Sequence, residues 1–355
     1  MDEKIKQLQQ ELYDVLKKAA RNKRNINVSR TLCYGGSLIY FLGLMAMQAL
    51  VYSGGDMSFF YTLNPDPTFF EQYKMLIIIA PLFVLITIGS YGLSFFYSKY
   101  AMAEQNSVRR IIRAMFPDAK CILSTNDLSK SSLLRSNFFG GLDSRYASGY
   151  SFGSVTFEDN NRKTTFHDVV VNEGVAENRL SHTAAGGLLL VFKILYKGLF
   201  GKRIENIAGG FRGMFTEALL KKKINGAVVV LPDHLERHID YLAKNIQVLK
   251  NVNGNKLVTL EDPEFERYFA VYAGDEITAR YILTPAMMLR MTDLKRKYNR
   301  DIMLSFNGDR FYFAVAMPEG FLTLGNASPT SGKALNDLYD NIVAALEILN
   351  NLKIK

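Results

Sequence analysis

Two long apolar runs near the start of the chain carry no charged side chain. They are residues 31–52 and 75–97. A helix needs about 20 predominantly apolar residues to cross the hydrocarbon of a bilayer. Each run therefore predicts a transmembrane helix, with residues 53–73 as the loop between them. The alternative is a pair of buried core helices, which uncharged runs of this length seldom form in soluble domains.

Basic residues predict the orientation of these two spans. The loop 53–73 contains no Lys or Arg, whereas basic side chains precede the first span and follow the second. Because the cytoplasmic flanks of membrane spans are enriched in Lys and Arg, we expect both termini in the cytoplasm and the loop outside. The flanking basic residues are Arg21, Lys23, Arg24, Arg30, Lys99, Arg109, Arg110 and Arg113.

An amphipathic helix is predicted before the first span, within residues 1–30. Its apolar positions recur three and four apart, as in the a/d pattern of a coiled coil. This pattern indicates self-association or a helical partner, and it fits equally well an amphipathic helix lying on the protein's own domain. The positions of this seam are Ile5, Leu8, Leu12, Val15 and Ala19.

Residues 99–355 mix helical and strand patterns without a regular alternation. They predict a cytoplasmic α+β domain with a mainly antiparallel sheet, preceded by the two-helix transmembrane hairpin of residues 31–98. Asn307-Gly308 is typical of a two-residue hairpin turn, and residues 333–352 predict a final amphipathic helix. The predicted strand pairs are 150–159 with 163–171, 209–220 with 226–232, and the two strands that Asn307-Gly308 joins.

An apolar insertion is predicted in this domain at about residues 174–210. Its central part, 186–203, is too short and too charged for a third span. Such a basic amphipathic helix could lie on an anionic membrane surface, against another subunit, or against the domain's own core. The residues predicted for membrane or subunit contact are Leu189, Phe192, Lys193, Leu195, Lys197 and Phe200.

The stretch LEDPEFERYFAVY, residues 260–272, concentrates carboxylates and resembles an active site at first reading. However, Asp262 followed by Pro263 is a typical helix start, and Glu264 and Glu266 then fall in the first helical turn. We therefore predict structural roles for these carboxylates, with Phe265 and the Phe four positions later buried on one helical face.

Composition and residue spacing limit the partners and metal sites that the sequence predicts. The net charge is +9 and hydrophobic residues make up 48% of the chain. The basic clusters already have a membrane explanation, so no nucleic-acid partner is expected. The two cysteines, Cys33 and Cys121, predict no disulfide framework. His234 and His238 lie four apart, a spacing at which two imidazoles can share a metal, but surface histidines are the preferred interpretation.

No nucleotide-binding loop, dinucleotide fingerprint or nucleophile elbow occurs in the sequence. We therefore expect no catalytic residues and no cofactor. Instead, the segments VTLEDPEFERYFAVYAGDEITARYILTPAMMLRM and IMLSFNGDRFYFAVA, together with FRGMFTEALL and AVVVLPD upstream, resemble the bacterial family called domain of unknown function 3137.

The resemblance covers about residues 75–350. It implies an inner-membrane protein without an established reaction, a possible LemA-like coiled-coil membrane protein as partner, and no catalytic residues to carry over. The segment from about Gly174 to Gly210 departs from the family by being longer and more apolar.

These features predict a membrane-anchored, non-catalytic assembly or interaction protein of the bacterial inner membrane. It would form a homo-oligomer and present its α+β domain at the cytoplasmic face. The alternative is an enzyme or a small-ligand sensor with a pocket in the α+β domain.

Overall fold

The structure is a computed structural model, and it divides into two compact units. A helical unit comprises residues 17–103 and 177–206, and a sheet unit comprises residues 1–16, 104–176 and 207–355. The residues that the structure describes are 2–52, 67–124, 126–127, 130–139, 148–159, 162–172, 195, 210–220, 222–233 and 256–352.

Long helices form the first part of the described chain. A short π turn, Thr31–Gly35, divides the first predicted span, and both residues that flank the turn keep right-handed helical dihedral angles. The second predicted span lies wholly inside α4, which continues beyond it to Met115. These helices are α1 (Asp2–Glu11), α2 (Tyr13–Arg30), α3 (Gly36–Tyr52) and α4 (Pro67–Met115).

One helical stretch of the described residues, Ala80–Met115, is long and apolar enough to cross a membrane by length and composition. Only 11% of its most apolar window is buried within the protein. The first apolar run does not form one α-helix of comparable length, because the π turn separates its first five residues from Gly36–Tyr52.

Ten strands of the described residues form one sheet, and every pairing in it is antiparallel. The predicted α+β class with a mainly antiparallel sheet is thus confirmed. The order across the sheet is β1-β3-β4-β5-β10-β9-β6-β8-β7, and β2 also pairs with β3. The strands are β1 (Lys120–Ile122), β2 (Asn126–Asp127), β3 (Ser148–Asp159), β4 (Arg162–Asn172), β5 (Gly210–Leu219), β6 (Ala227–Pro232), β7 (Lys256–Val258), β8 (Phe269–Ala273), β9 (Ile302–Asn307) and β10 (Arg310–Ala316).

Two of the three predicted strand pairs are confirmed. Strands β3 and β4 pair, and β9 pairs with β10 across a turn in which Gly308 has a φ of 62°. The predicted pairing of 209–220 with 226–232 is wrong. Strand β5 pairs with β4 and β10, while β6 pairs with β8 and β9. Two adjacent apolar strands are compatible with a hairpin, but the stronger local turn at Asn307-Gly308 places β9 and β10 between them.

Both faces of the sheet are buried. Because side chains alternate along a strand, Phe311 and Phe313 of β10 lie on one face while Tyr312 lies on the other. The first face packs on most of the helices of the sheet unit, and the second face includes Phe138 and Phe139, just after α5. The remaining helices are α5 (Lys130–Arg135), α6 (Pro263–Glu266), α7 (Glu276–Ile282), α8 (Pro285–Tyr298) and α9 (Gly332–Leu352).

Helix α1 packs against α9. Leu8, Leu12 and Leu16 are buried in the core of the sheet unit, and Gln9 donates a hydrogen bond of 2.7 Å from its amide nitrogen to the carbonyl oxygen of Thr330. The apolar face that the sequence assigns to a seam is therefore in contact with the same chain. Self-association through this face stays a prediction.

Candidate functional site

The helical unit is held together by a seam with a spacing of seven residues. Ala19, Ile26 and Cys33 are buried and pack in one apolar cluster with Leu93 and Tyr100 of α4. A spacing of seven keeps the same side of a helix turned towards its neighbour. The polar part of α2 and the beginning of the first apolar run thus use one continuous face to contact α4.

The two helices approach most closely at Gly89. A Cβ atom placed there would lie 2.2 Å from the Cβ and 2.7 Å from the Sγ of Cys33. Three residues further on, a Cβ at Gly92 would lie 3.7 Å from the Cβ of Ser29. Small residues in a membrane helix permit close packing on a neighbouring helix, and the helix next to Gly89 and Gly92 belongs to the same chain.

Among the described residues of the helical unit, the two apolar runs expose many large apolar side chains. Ile39 is 74% exposed and Tyr91 is 76% exposed, whereas the buried interior contains Cys33 and the hydroxyl-bearing Ser37. Such an arrangement is the reverse of that in a soluble domain, where large contiguous apolar patches are rarely exposed. The other large exposed hydrophobic residues are Val28, Leu32, Leu42, Met45, Phe83, Val84, Ile86, Ile88, Phe95 and Met102.

Basic and aromatic side chains occur at the polar end of these apolar runs. Arg30 donates a hydrogen bond of 2.7 Å from its guanidinium to the hydroxyl oxygen of Tyr97. The Nζ of Lys99 lies 4.3 Å from the centre of the Phe95 ring. Tyr and Trp rings are enriched at the level of lipid headgroups, where long basic side chains also place their charges. These contacts mark the boundary between apolar and charged surface.

Within the sheet unit, the carboxylates of residues 260–272 have structural roles. Asp262 caps α6 by accepting hydrogen bonds from the backbone N–H groups of Glu264 and Phe265, at 3.0 and 3.1 Å. Glu266 accepts a bond of 2.6 Å from the N–H of Leu260. The predicted cap at Asp262 is therefore confirmed.

The prediction that Phe265 and Phe269 share one helical face is wrong. Helix α6 is only four residues long, so Phe269 lies in β8 and not on a helical face with Phe265. The two rings are nevertheless buried and stack with centroids 5.0 Å apart. Glu264 forms an ion pair with Arg296, and Glu261 forms one with Arg280.

A buried ion pair joins Asp168 of β4 to Arg212 of β5. The two side chains are 1% and 11% exposed, with contacts of 2.6 and 2.9 Å between the guanidinium and the two carboxylate oxygens. Removal from water raises the pKa of Asp168, and Arg212 and two backbone N–H groups act against this change. The two-pronged contact is the geometry of an ionised carboxylate with a guanidinium.

The same carboxylate fixes the loop that follows β10. Asp168 accepts hydrogen bonds from the N–H groups of Phe321 and Leu322, at 3.1 and 3.3 Å. Glu104 of α4 accepts a bond of 3.0 Å from the N–H of Leu324. Carboxylates from two distant parts of the sequence thus bind backbone groups of one loop, which satisfies buried polar groups that would otherwise be costly.

Of the site residues predicted from the sequence, the structure describes most of the N-terminal seam and one residue of the apolar insertion. Leu8, Leu12 and Ala19 of the seam are buried and Val15 is half-buried, while the side chain of Ile5 lies outside the described part. Leu195 is buried at 4% exposure. Its neighbours in the predicted contact segment and both candidate metal residues lie outside the described residues: Leu189, Phe192, Lys193, Lys197, Phe200, His234 and His238.

Among the described residues, no group of three or more His, Cys, Asp or Glu side chains is arranged to hold a metal ion. Sequence reasoning missed the Asp168–Arg212 pair. The available signal was one charged residue, of opposite sign, in each of two mainly apolar segments, FHDVVV and GGFRGMF. A buried charge requires a partner, but the sequence does not say which strands are neighbours.

Comparison with protein families gives one match. Residues 210–354 match the family described as protein of unknown function, DUF3137. The match covers less than half of the chain, and over it the protein is similar to this family. The matched region includes β5 to β10 and the helices between and after them, and it contains Arg212 of the buried pair.

The match is narrower than the resemblance predicted from the sequence, which began at about residue 75. Both apolar runs, strands β1 to β4 and Asp168 precede the matched region. The sheet therefore extends beyond the matched region through the β4–β5 pairing. Comparison with curated proteins gives no match, and comparison with solved structures gives none.

Proposed function

We propose that this protein is a membrane-anchored interaction protein. Residues 31–52 and 75–97 would span the bacterial inner membrane as a hairpin, and the α+β domain would be presented at its cytoplasmic face. The observation that carries this proposal is the apolar outer surface of the helical unit, where side chains such as Ile39, Phe83 and Tyr91 are exposed.

The free energy of apolar burial supports the anchoring. Full burial of one large apolar side chain contributes about 1.5–3 kcal/mol, and the exposed set contains many such side chains from both apolar runs. Lipid hydrocarbon would surround these side chains without requiring a protein partner for each. Helices also satisfy their own backbone hydrogen bonds, as a segment in hydrocarbon must do.

The distribution of charge supports the orientation. Residues 17–30 contain basic but no acidic side chains, and the loop 53–73 contains acidic but no basic ones. By the positive-inside rule the hairpin would keep both of its ends in the cytoplasm. The second apolar run continues as helix to Met115, in the sheet unit.

The structural use of the carboxylates supports a role in interaction rather than catalysis. Asp262, Glu266 and Asp168 each accept hydrogen bonds from backbone N–H groups. We propose that the protein forms a homo-oligomer. From the family resemblance, we also propose a LemA-like coiled-coil membrane protein as a partner. The alternative of an enzyme or ligand sensor has no observation in its favour among the described residues.

Cysteine labelling in intact cells tests the anchoring and its orientation. In a background in which Cys33 and Cys121 are replaced by Ala, a cysteine at Ser58 should react with a membrane-impermeant maleimide. A cysteine at Asn336, an exposed position of α9, should react only after the cells are opened. Labelling of both positions in intact cells, or of Asn336 alone, would contradict the proposed topology.

Light scattering of the full chain in mild detergent tests the assembly. We expect a mass of two or more protomers per particle after correction for bound detergent. A single protomer at micromolar concentration would contradict the homo-oligomer, and it would leave the anchoring to be decided by the labelling.

A further inference from the structure

The polar end of the helical unit contains more basic than acidic side chains. Residues 17–30 contain six basic and no acidic side chains, and in residues 80–103 of the opposing helix Lys99 is the single charged residue. Arg21, Arg24 and Lys99 are exposed, and Arg30 is half-buried against Tyr97. We call Arg21, Arg24, Arg30 and Lys99 the basic band.

The basic band lies at the depth of lipid headgroups if the apolar runs occupy the hydrocarbon. An α-helix rises about 1.5 Å per residue, so Arg24 lies about 9 Å and Arg21 about 14 Å along the axis from Arg30. The headgroup region adds about 5–8 Å on each side of the hydrocarbon, and charge is felt over a further 8 Å or so at physiological salt. All four basic residues fall within this combined distance.

The side chains of the basic band suit phosphate. Arg21 and Arg24 are three residues apart, so they emerge on the same side of α2. A guanidinium can donate two parallel hydrogen bonds to phosphate oxygens. The bond from Arg30 to Tyr97 and the placement of Lys99 over Phe95 fix two of the charges at the end of the apolar surface.

We infer that the basic band binds the headgroups of anionic phospholipids in the cytoplasmic leaflet. The inference rests on the proposed membrane anchoring and adds a preference for lipid charge. Zwitterionic lipids would fill the remaining surface of the apolar runs, where the protein offers no charge to distinguish them. The preference should weaken as salt is added, because the attraction is largely electrostatic.

The test uses the full chain extracted from vesicles that contain equal amounts of phosphatidylglycerol and phosphatidylcholine. The lipids retained by the purified protein are counted by mass spectrometry. We expect phosphatidylglycerol to be enriched in the wild type. Since one basic residue near an anionic surface contributes about fivefold in binding, the variant R21Q/R24Q should lose most of the enrichment at low salt.

Two matched variants make the result specific. K163Q/K223Q removes the same charge from exposed positions of the sheet unit and should leave the enrichment unchanged. R21K/R24K keeps the charge and should retain most of it. Equal retention of both lipids by the wild type, or equal enrichment in the wild type and R21Q/R24Q, would overturn the inference.

An alkaline carbonate wash of membranes separates this failure from failure of the anchoring. A chain that stays in the membrane but shows no lipid preference disproves the headgroup contact alone. A chain released by the wash disproves the anchoring, and the headgroup inference with it.

Discussion

The helical unit and the sheet unit place their apolar side chains in opposite ways. In the helical unit many large apolar side chains point outward, while Cys33 and Gly89 meet inside next to a small apolar cluster. In the sheet unit Phe311 and Phe313 are fully buried. The helical unit combines close backbone approach with a small apolar cluster, whereas the sheet unit is held by extensive apolar burial and by buried charges that are paired. Each unit should therefore respond to a different kind of substitution.

The largest effect is expected from R212M in the sheet unit. Removal of the guanidinium leaves Asp168 buried without its counter-charge, and breaking a buried pair in this way costs about 3–5 kcal/mol of unfolding free energy. The exposed pair between Lys120 and Glu158 provides the control, with side chains 69% and 51% exposed. In thermal melts of the full chain in detergent, K120M should melt like the wild type and R212M far below it. Equal melting temperatures for both variants would show that the buried pair contributes no more to stability than the exposed pair.

The next effect is expected from G89A in the helical unit. The added methyl group would overlap Cys33, and overpacking of this kind costs about 1–3 kcal/mol. At Gly43 a Cβ meets nothing within 4 Å, so G43A is the matched control.

A disulfide between S29C and G92C reports on the helix spacing in this experiment. The Cβ separation of 3.7 Å is suitable for a disulfide. The two cysteines are introduced into a background without Cys33 and Cys121. Cys33 is replaced by Ser and not by a smaller residue, so that the methyl group added by G89A still overlaps the side chain at position 33. Oxidation should cross-link the parent and the G43A variant, and G89A should reduce the yield. An undiminished yield in G89A would mean that the helices are not in close contact there.

A smaller effect is expected from G320A in the loop that Asp168 fixes. Gly320 has a φ of 96°, and a Cβ there would lie 2.4 Å from an Nη atom of Arg212. Gly226 has a φ of 79° but open space around it. Backbone strain of about 1 kcal/mol is common to both positions, so G320A should melt lower than G226A. Indistinguishable melting temperatures of G320A and G226A would show that the loop adjusts to the added methyl group without disturbing the Asp168–Arg212 pair.

The smallest effect is the pH dependence that His167 contributes. Burial lowers the pKa of His167 below its usual value. The unfolded chain therefore takes up the proton first, and His167 costs no stability above about pH 6.5 but reduces it as the pH falls below that value. Melts between pH 7.5 and 5.5 should show a decline that H167Q makes less steep. An unchanged slope in H167Q would assign the decline to other groups.

Local signals in the sequence predict local structure well. Asp262 before Pro263 and Thr284 before Pro285 both cap helices as their residue types require. The Asn307-Gly308 turn joins two strands because its left-handed glycine matches the twist of a hairpin. These features depend on interactions between residues that are close in sequence, and a single sequence contains all the information they need.

Long-range pairing was not predictable in the same way. Strand β5 has the right length and position in the sequence to pair with β6, yet its partners are β4 and β10. Nothing within β5 specifies a neighbour that lies much later in the chain. The same reason hides the contacts of Asp168 with Arg212 and Phe321, since each partner alone is only an isolated charge or an ordinary loop residue.

The position of β10 in the middle of the sheet has a consequence for synthesis of the protein. Strands β3, β4 and β5 are translated well before β10, which pairs with β5 from Arg310 opposite Leu219 to Ala316 opposite Gly213. At about 5–20 residues per second, β5 waits roughly 5–20 s for this neighbour. During that interval Phe211 and Phe215 lie on an unpaired edge, which favours association between nascent chains. The yield of folded protein should therefore depend on chaperones that bind the growing chain during this interval.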